Sequence, residues 1–146
     1  MRSFTPFVSD DEVMAIGCGL VMRTLPKSKW THSAHFAAAL WMLRCHPEID
    51  VGRKMPELIR AYNEATGVEN TDSSGYHETI TQASLRAACA FRTNRTHLSL
   101  YETCNELMSS PLGSSDWLLA YWTRQRLFSA EARKAWIAPD IQPLPF

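Results

Sequence analysis

Two short segments hold most of the residues able to do chemistry in this chain: Trp30-Thr-His-Ser-Ala-His35 and Ser74-Gly-Tyr-His-Glu-Thr79. Each reads as the start of a buried helix, and together they carry three of the five histidines. On a helix, His32 and His35 lie on neighbouring rows of one face, which continues inward through Phe36, Ala39 and Leu43. His77 heads a second helix, with Glu78 beside it and Thr81, Ser84 and Ala88 further along its face. Parallel packing of these two helices would bring all three imidazoles to one end of the bundle, and antiparallel packing would part them. Short connections favour antiparallel neighbours, but an intervening helix makes a parallel pair feasible.

Three histidines and a carboxylate suit a divalent first-row metal such as zinc, iron or nickel, with an open position for water or substrate. In that reading His32, His35 and His77 are the metal ligands, and Glu78 and Tyr76 are the candidate catalytic residues. Glu78 would be a fourth ligand or a general base on bound water, with Tyr76 and Thr31 as hydrogen-bond partners behind the ligands. Metal-assisted hydrolysis or an oxygen-dependent reaction would fit. Two other readings use the same residues: a metal-free pocket for a small molecule, and a non-catalytic interaction protein whose histidines serve capping and core hydrogen bonds. A helix N-terminus disfavours imidazolium, which suits the last of these. The spacing is H-x-x-H, not H-E-x-x-H, and does not separate enzyme from non-enzyme. His46 falls roughly 16 Å beyond His35 along the helix, too far to join it. His97 lies in a connector and reads as solvated.

Other signals are fainter. Asn70 to Gly75 could close over an anion at the next helix start, but no glycine-rich phosphate loop, Walker pattern or Gly-x-Ser-x-Gly is present. Arg92, Arg95, Arg124, Arg126, Arg133 and Lys134, with Trp122 and Trp136, make a candidate basic patch. Pairing with Glu102, Glu106 and Glu131 is its simpler role. Five tryptophans are more than packing needs, and suggest a pocket lining or a homo-oligomer face.

At 146 residues the chain suits one domain, 1–146, with an arm over 1–8 and an extended tail over 139–146. Fifteen basic and fifteen acidic residues cancel, so nucleic acid is not an expected partner. Eleven of the basic residues are arginine, which favours paired or stacked roles. Cys18, Cys45, Cys89 and Cys104 lie far apart in apolar helical patterns and read as small buried hydrophobes in a reducing compartment. The run Val13 to Met22 follows Asp10, Asp11 and Glu12, unlike a signal peptide, and is too short to span a bilayer. A cytoplasmic protein with no membrane partner is expected.

The elements that would position the histidines are all helical, in a compact bundle of six or seven. Ser9 and three acidic residues open the first helix, which should run to about Thr24 before Pro26. Thr31 caps the second, apolar all round from Phe36 to Leu43 and therefore central. A third is expected from Pro56 to Ala65, with Gly67 at its C-terminal cap. A fourth is expected from Tyr76 to Phe91, its alanines allowing close approach to the second. Further helices should run from Asn94 or Thr96 to Met108, from Ser115 to Leu127, and from Ser129 to about Ile137.

The motifs W-T-H-x-A-H, N-T-x-x-S-G-Y-H-E-T-x-T and P-D-x-x-P-L resemble those of a small family of uncharacterised bacterial proteins of about this length. Here they are Trp30 to His35, Asn70 to Thr81 and Pro139 to Leu144. The resemblance covers most of the chain and implies no particular activity. Helical-bundle hydrolases with three histidines carry a late H-x-x-x-H that this sequence lacks.

Overall fold

A computed structural model describes residues 4–146. Its helices are α1 (Asp10–Met22), α2 (His32–Cys45), α3 (Val51–Ala65), α4 (Glu78–Arg92), α5 (Leu100–Ser109), α6 (Arg124–Leu127) and α7 (Ala130–Lys134). Single 3-10 turns occupy Lys27–Lys29, Pro111–Gly113 and Trp117–Ala120. No strand occurs among the described residues, so the all-α expectation holds. Of the expected arm, residues 1–3 lie outside the described residues.

Helix α2 is the centre, buried at Ala34 and from Phe36 through Met42 and packed against α1, α3, α4 and α5. Contact with α1 is close enough that a Cβ at Gly17 would lie 2.2 Å from the Trp41 ring. Buried Ala83, Ala87 and Ala88 give α4 a small-residue face, and α4 packs on α2. Leu40 and Arg44, late in α2, line one crevice with Arg92 at the end of α4. Both helices therefore end at the same side of the bundle and run parallel. Side chains from α1 through α6 share one hydrophobic core.

The expected caps open three helices: Ser9 accepts from Glu12 N–H, Thr31 from Ala34 N–H and Ser129 from Ala132 N–H. Helix α5 starts later than the expected Asn94 or Thr96, because Ser99 forms a reciprocal capping box with Glu102. Gly67 takes φ +83° beyond α3. Other boundaries moved. Helix α3 begins at Val51, five residues before the expected Pro56, so this proline sits inside it. Proline has no N–H for the Gly52 carbonyl four residues back, and Gln82 of α4 supplies the donor instead, at 2.9 Å. Helix α4 starts at Glu78, leaving Tyr76 and His77 outside. The chain expected to be helical from Ser115 to Leu127 breaks into a 3-10 turn and α6, and α7 stops at Lys134.

The ends are tied down by polar contacts. Asn105 exchanges two hydrogen bonds with the Phe7 backbone, both 2.9 Å, and so holds the arm on α5. Asp140 accepts from Thr123 N–H and from its hydroxyl, and Gln142 donates to Ala120 O, so the tail folds back along 117–127. Leu144 and Phe146 pack on the core.

The Pro56–Gln82 arrangement has a measurable consequence. Gln82→Leu should lower stability by about 1 kcal/mol through the orphaned Gly52 carbonyl. In a Pro56→Ala background, where residue 56 regains an N–H, the same change should cost clearly less; urea denaturation of the four proteins checks the coupling.

Candidate functional site

In the first histidine segment every ring is engaged. His35 Nδ1 lies 2.7 Å from the Thr31 carbonyl and must donate to it, and its ring stacks on Trp30 with centroids 3.8 Å apart. His32 Nε2 donates to Leu112 O at 2.8 Å, joining the start of α2 to the turn after α5. The His32 ring also meets Phe36 edge-on. His35 keeps part of its surface open to water, yet the protein massed around the rest of the ring disfavours imidazolium and pushes its pKa down to about 4. The Thr31 carbonyl opposes that shift, and nearby His32 adds slightly to it.

The second segment is a folded loop followed by a histidine cap. Asn70 organises the loop: its Oδ1 accepts from Tyr76 N–H and Asn63 Nδ2, and its Nδ2 donates to Arg60 O. Gly75 adopts φ +79°, and a Cβ there would fall 2.5 Å from Glu69 O and 2.6 Å from Asn70 Oδ1. His77 then caps α4, its Nδ1 accepting from Ile80 N–H at 3.2 Å while Nε2 donates to Leu127 O at 2.7 Å. One nitrogen accepting and the other donating defines a neutral ring. Burial lowers its pKa, the Arg133 charge adds to this, and the Leu127 carbonyl opposes it.

Neighbouring residues of this segment do similar work. Thr79, fully buried, donates to Ala135 O and accepts from Ile137 N–H. Arg133 Nη1 donates to Gly75 O at 2.9 Å. Tyr76 is buried, donates to Glu78 Oε1, and lies beneath the Arg60 guanidinium, 4.4 Å from its ring centroid. Burial raises the phenol pKa, and the hydrogen bond to the Glu78 carboxylate raises it further. The phenol therefore stays protonated at neutral pH.

The parallel packing needed to bring the histidines together is present, but the ligand set is not. Among the described residues no three His, Cys, Asp or Glu side chains are grouped to hold a metal ion. His32 turns to Leu112, His35 to Thr31 and Trp30, and His77 to Leu127 and Ile80. Tyr76 and Glu78 do meet, with each other. Three of the four cysteines also differ from expectation: Cys18, Cys45 and Cys89 are exposed, and only Cys104 is buried, its thiol pushed up to about 12 by desolvation. Helical position, not residue type, decides this. The basic patch is divided as well: Arg95 pairs with Glu106 at 3.2 Å, while Arg126 and Arg133 donate to the backbone carbonyls of Ala138 and Gly75. Trp122 is wholly buried with its N–H on Ile137 O, and Trp136 lies under Arg86, so both serve packing.

The structure also has a cleft that the sequence did not signal, with a volume of about 950 Å³. It lies between the arm, α1, the Lys27–Lys29 turn, the start of α2 and the end of α5. Phe4, Phe7, Ile16, Leu25 and Met108 give it apolar walls. Ser28, Lys29, His32, Ser33, Ser114 and Ser115 give it polar ones. Of the expected site residues His32 and Thr31 line it, while His35, Tyr76, His77 and Glu78 do not. These residues come from five separate places in the chain and share no motif.

No family model, no curated protein and no solved structure matches the chain.

Two outcomes are expected from the loop and its cap. Gly75→Ala should cost more than about 2 kcal/mol, since it combines positive φ with a backbone clash. Gly67→Ala, at φ +83° with open space around it, should cost about 1 kcal/mol. Thermal denaturation of the two variants ranks them. The histidines set the second outcome. Their folded pKa values are depressed, so the unfolded chain binds more protons below the ordinary value of 6.5. Stability is then complete above that pH and falls as pH drops toward about 4. His77→Asn, whose amide can still cap α4, should flatten this fall, as urea midpoints measured across the range would show.

Proposed function

We propose that this protein binds a small amphipathic molecule in the cleft beside His32, with its apolar body against Phe4, Phe7, Ile16 and Met108. The ligand's polar or anionic head would lie at Lys29 and the serines near the start of α2. The cleft itself carries this reading: its volume is in the range of small-molecule sites, and it combines apolar walls with a few polar groups on one side. A cation and the positive end of a 14-residue helix favour an acidic head over a neutral one. In this reading the protein acts by binding. The two histidine segments serve capping and core hydrogen bonds, and Tyr76 and Glu78 bind each other instead of a substrate.

No helix among the described residues is long and apolar enough to cross a membrane. Three exposed free thiols support placement in a reducing compartment, the cytoplasm.

Calorimetric titration with decanoate, a probe having one carboxylate and an apolar chain, tests the reading. Saturable one-to-one binding is expected, weakened by about tenfold in Lys29→Ala, which corresponds to about 1.4 kcal/mol. Ser114→Trp, which fills the polar side, should abolish it. Decanol should bind more weakly than decanoate. Binding that is absent in the wild type, or unchanged by Ser114→Trp, overturns the proposal.

A further inference from the structure

Helix α1 is apolar on two opposite faces, and the core covers only one. Val13, Gly17 and Leu20 are buried, with Ile16 packed beside them. The other face leaves Met14 41% exposed, Val21 39% and Met22 68%, with Ala15 and Cys18 also open. At about 100° per residue, Asp11, Met14, Ala15, Val21 and Met22 all fall within about 60° of Cys18, so these residues form one stripe centred on the cysteine. Three large exposed apolar side chains along a single helix are a cost for a protein that stays alone in water.

We infer that this stripe is the face by which two copies of the chain pair, α1 against α1, antiparallel about a twofold axis at Cys18. The charges at the ends of the helix favour a second copy as the occupant. The first turn is acidic and the last turn has no basic residue, while Arg23 and Lys27 follow just beyond it. Twofold rotation about Cys18 places Met14 opposite Met22 of the second copy, and Ala15 opposite Val21. It also brings Asp11 to the end where Arg23 and Lys27 of the second copy lie. Asp11, Arg23 and Lys27 are exposed and take part in none of the ion pairs among the described residues. The pairing supplies both sets with partners and sets the two helix dipoles antiparallel, side by side. A surface of this kind is self-complementary, as a twofold contact requires. An anionic lipid surface is the poorer occupant, because the stripe carries the Asp11 carboxylate and no basic residue. One helix per subunit is a small interface, so the dimer should dissociate on dilution.

Sedimentation equilibrium between roughly 5 and 500 µM tests this, a range that spans weak specific association. A reversible monomer–dimer equilibrium is expected in reducing buffer. Val21→Glu/Met22→Glu should leave a monomer throughout, with an unchanged helical circular dichroism spectrum because both positions are exposed. Asp11→Lys should weaken the dimer about tenfold by facing Arg23 and Lys27 with like charge. Adding Arg23→Asp and Lys27→Asp to that variant should restore it. A short bismaleimide should link the Cys45→Ser/Cys89→Ser protein into a covalent dimer through Cys18, since packed helices lie about 8–10 Å apart, and Cys18→Ser should abolish the product. A monomer at every concentration overturns the inference. So does a dimer that survives the two glutamates and is not linked through Cys18. Binding of the α1 face to phosphatidylcholine vesicles by a chain that remains monomeric overturns it as well.

Discussion

From Phe36 to Met42 helix α2 has no face that it can present to water, and the rest of the bundle is arranged to satisfy that constraint. Eight of its fourteen residues are buried, and α1, α3, α4 and α5 each take a share of its circumference. The small side chains along Ala37, Ala38 and Ala39 let neighbours come near, and Gly17 lets α1 pass directly over Trp41. Enclosure on all sides also accounts for the parallel α2–α4 pair. Helix α3 intervenes in sequence and carries the chain back, so α4 can enter from the same end as α2.

A bundle closed around one helix must still fasten its irregular segments, and here polar groups do so. The C-terminal stretch has only short helices, which bury too little to hold themselves in place. Instead Leu127 O, Ala135 O and the Ile137 N–H meet His77 and Thr79, while Arg133 reaches back to Gly75 O. The motif around Gly75 is thus a clamp: Asn70 shapes the loop, glycine permits its tight return, and the following side chains grip a segment about fifty residues further along the chain. Because the gripping groups are buried, each one left unpaired would carry the full desolvation cost of a polar group, which gives the clamp specificity as well as strength. The neutral state of His77 belongs to the same logic, since only an unprotonated Nδ1 can accept the Ile80 N–H.

The cleft beside His32 follows from where this fastening is sparse. Between the docked arm and the turns flanking α2 and α5, the chain brings together apolar walls and hydroxyls without filling the space they enclose. The histidines show how residue type can mislead. Imidazole is a metal ligand, a base and a hydrogen-bonding cap, and the choice among these depends on what stands within about 3 Å of each nitrogen.

Much of this was determined by the sequence itself. Hydroxyl-bearing caps at Ser9, Thr31 and Ser129, the apolarity of α2 from Phe36 to Leu43 and the absence of any alternating strand pattern are local properties, and they are enough to specify an all-α bundle with α2 inside. The left-handed turn at Gly67 was legible for the same reason, because backbone freedom is a property of one residue. Only the tertiary structure decided what is non-local. Pro56 can sit inside α3 because Gln82, twenty-six positions away, serves the carbonyl it abandons. That His77 ties the start of α4 to Leu127 O depends on a carbonyl fifty positions away lying beside it. Cys18, Cys45 and Cys89 face outward because helix orientation, which composition does not encode, turned them there. The cleft joins residues from the arm to Ser115, and no periodicity within a window of the chain reports a space enclosed by five separate segments.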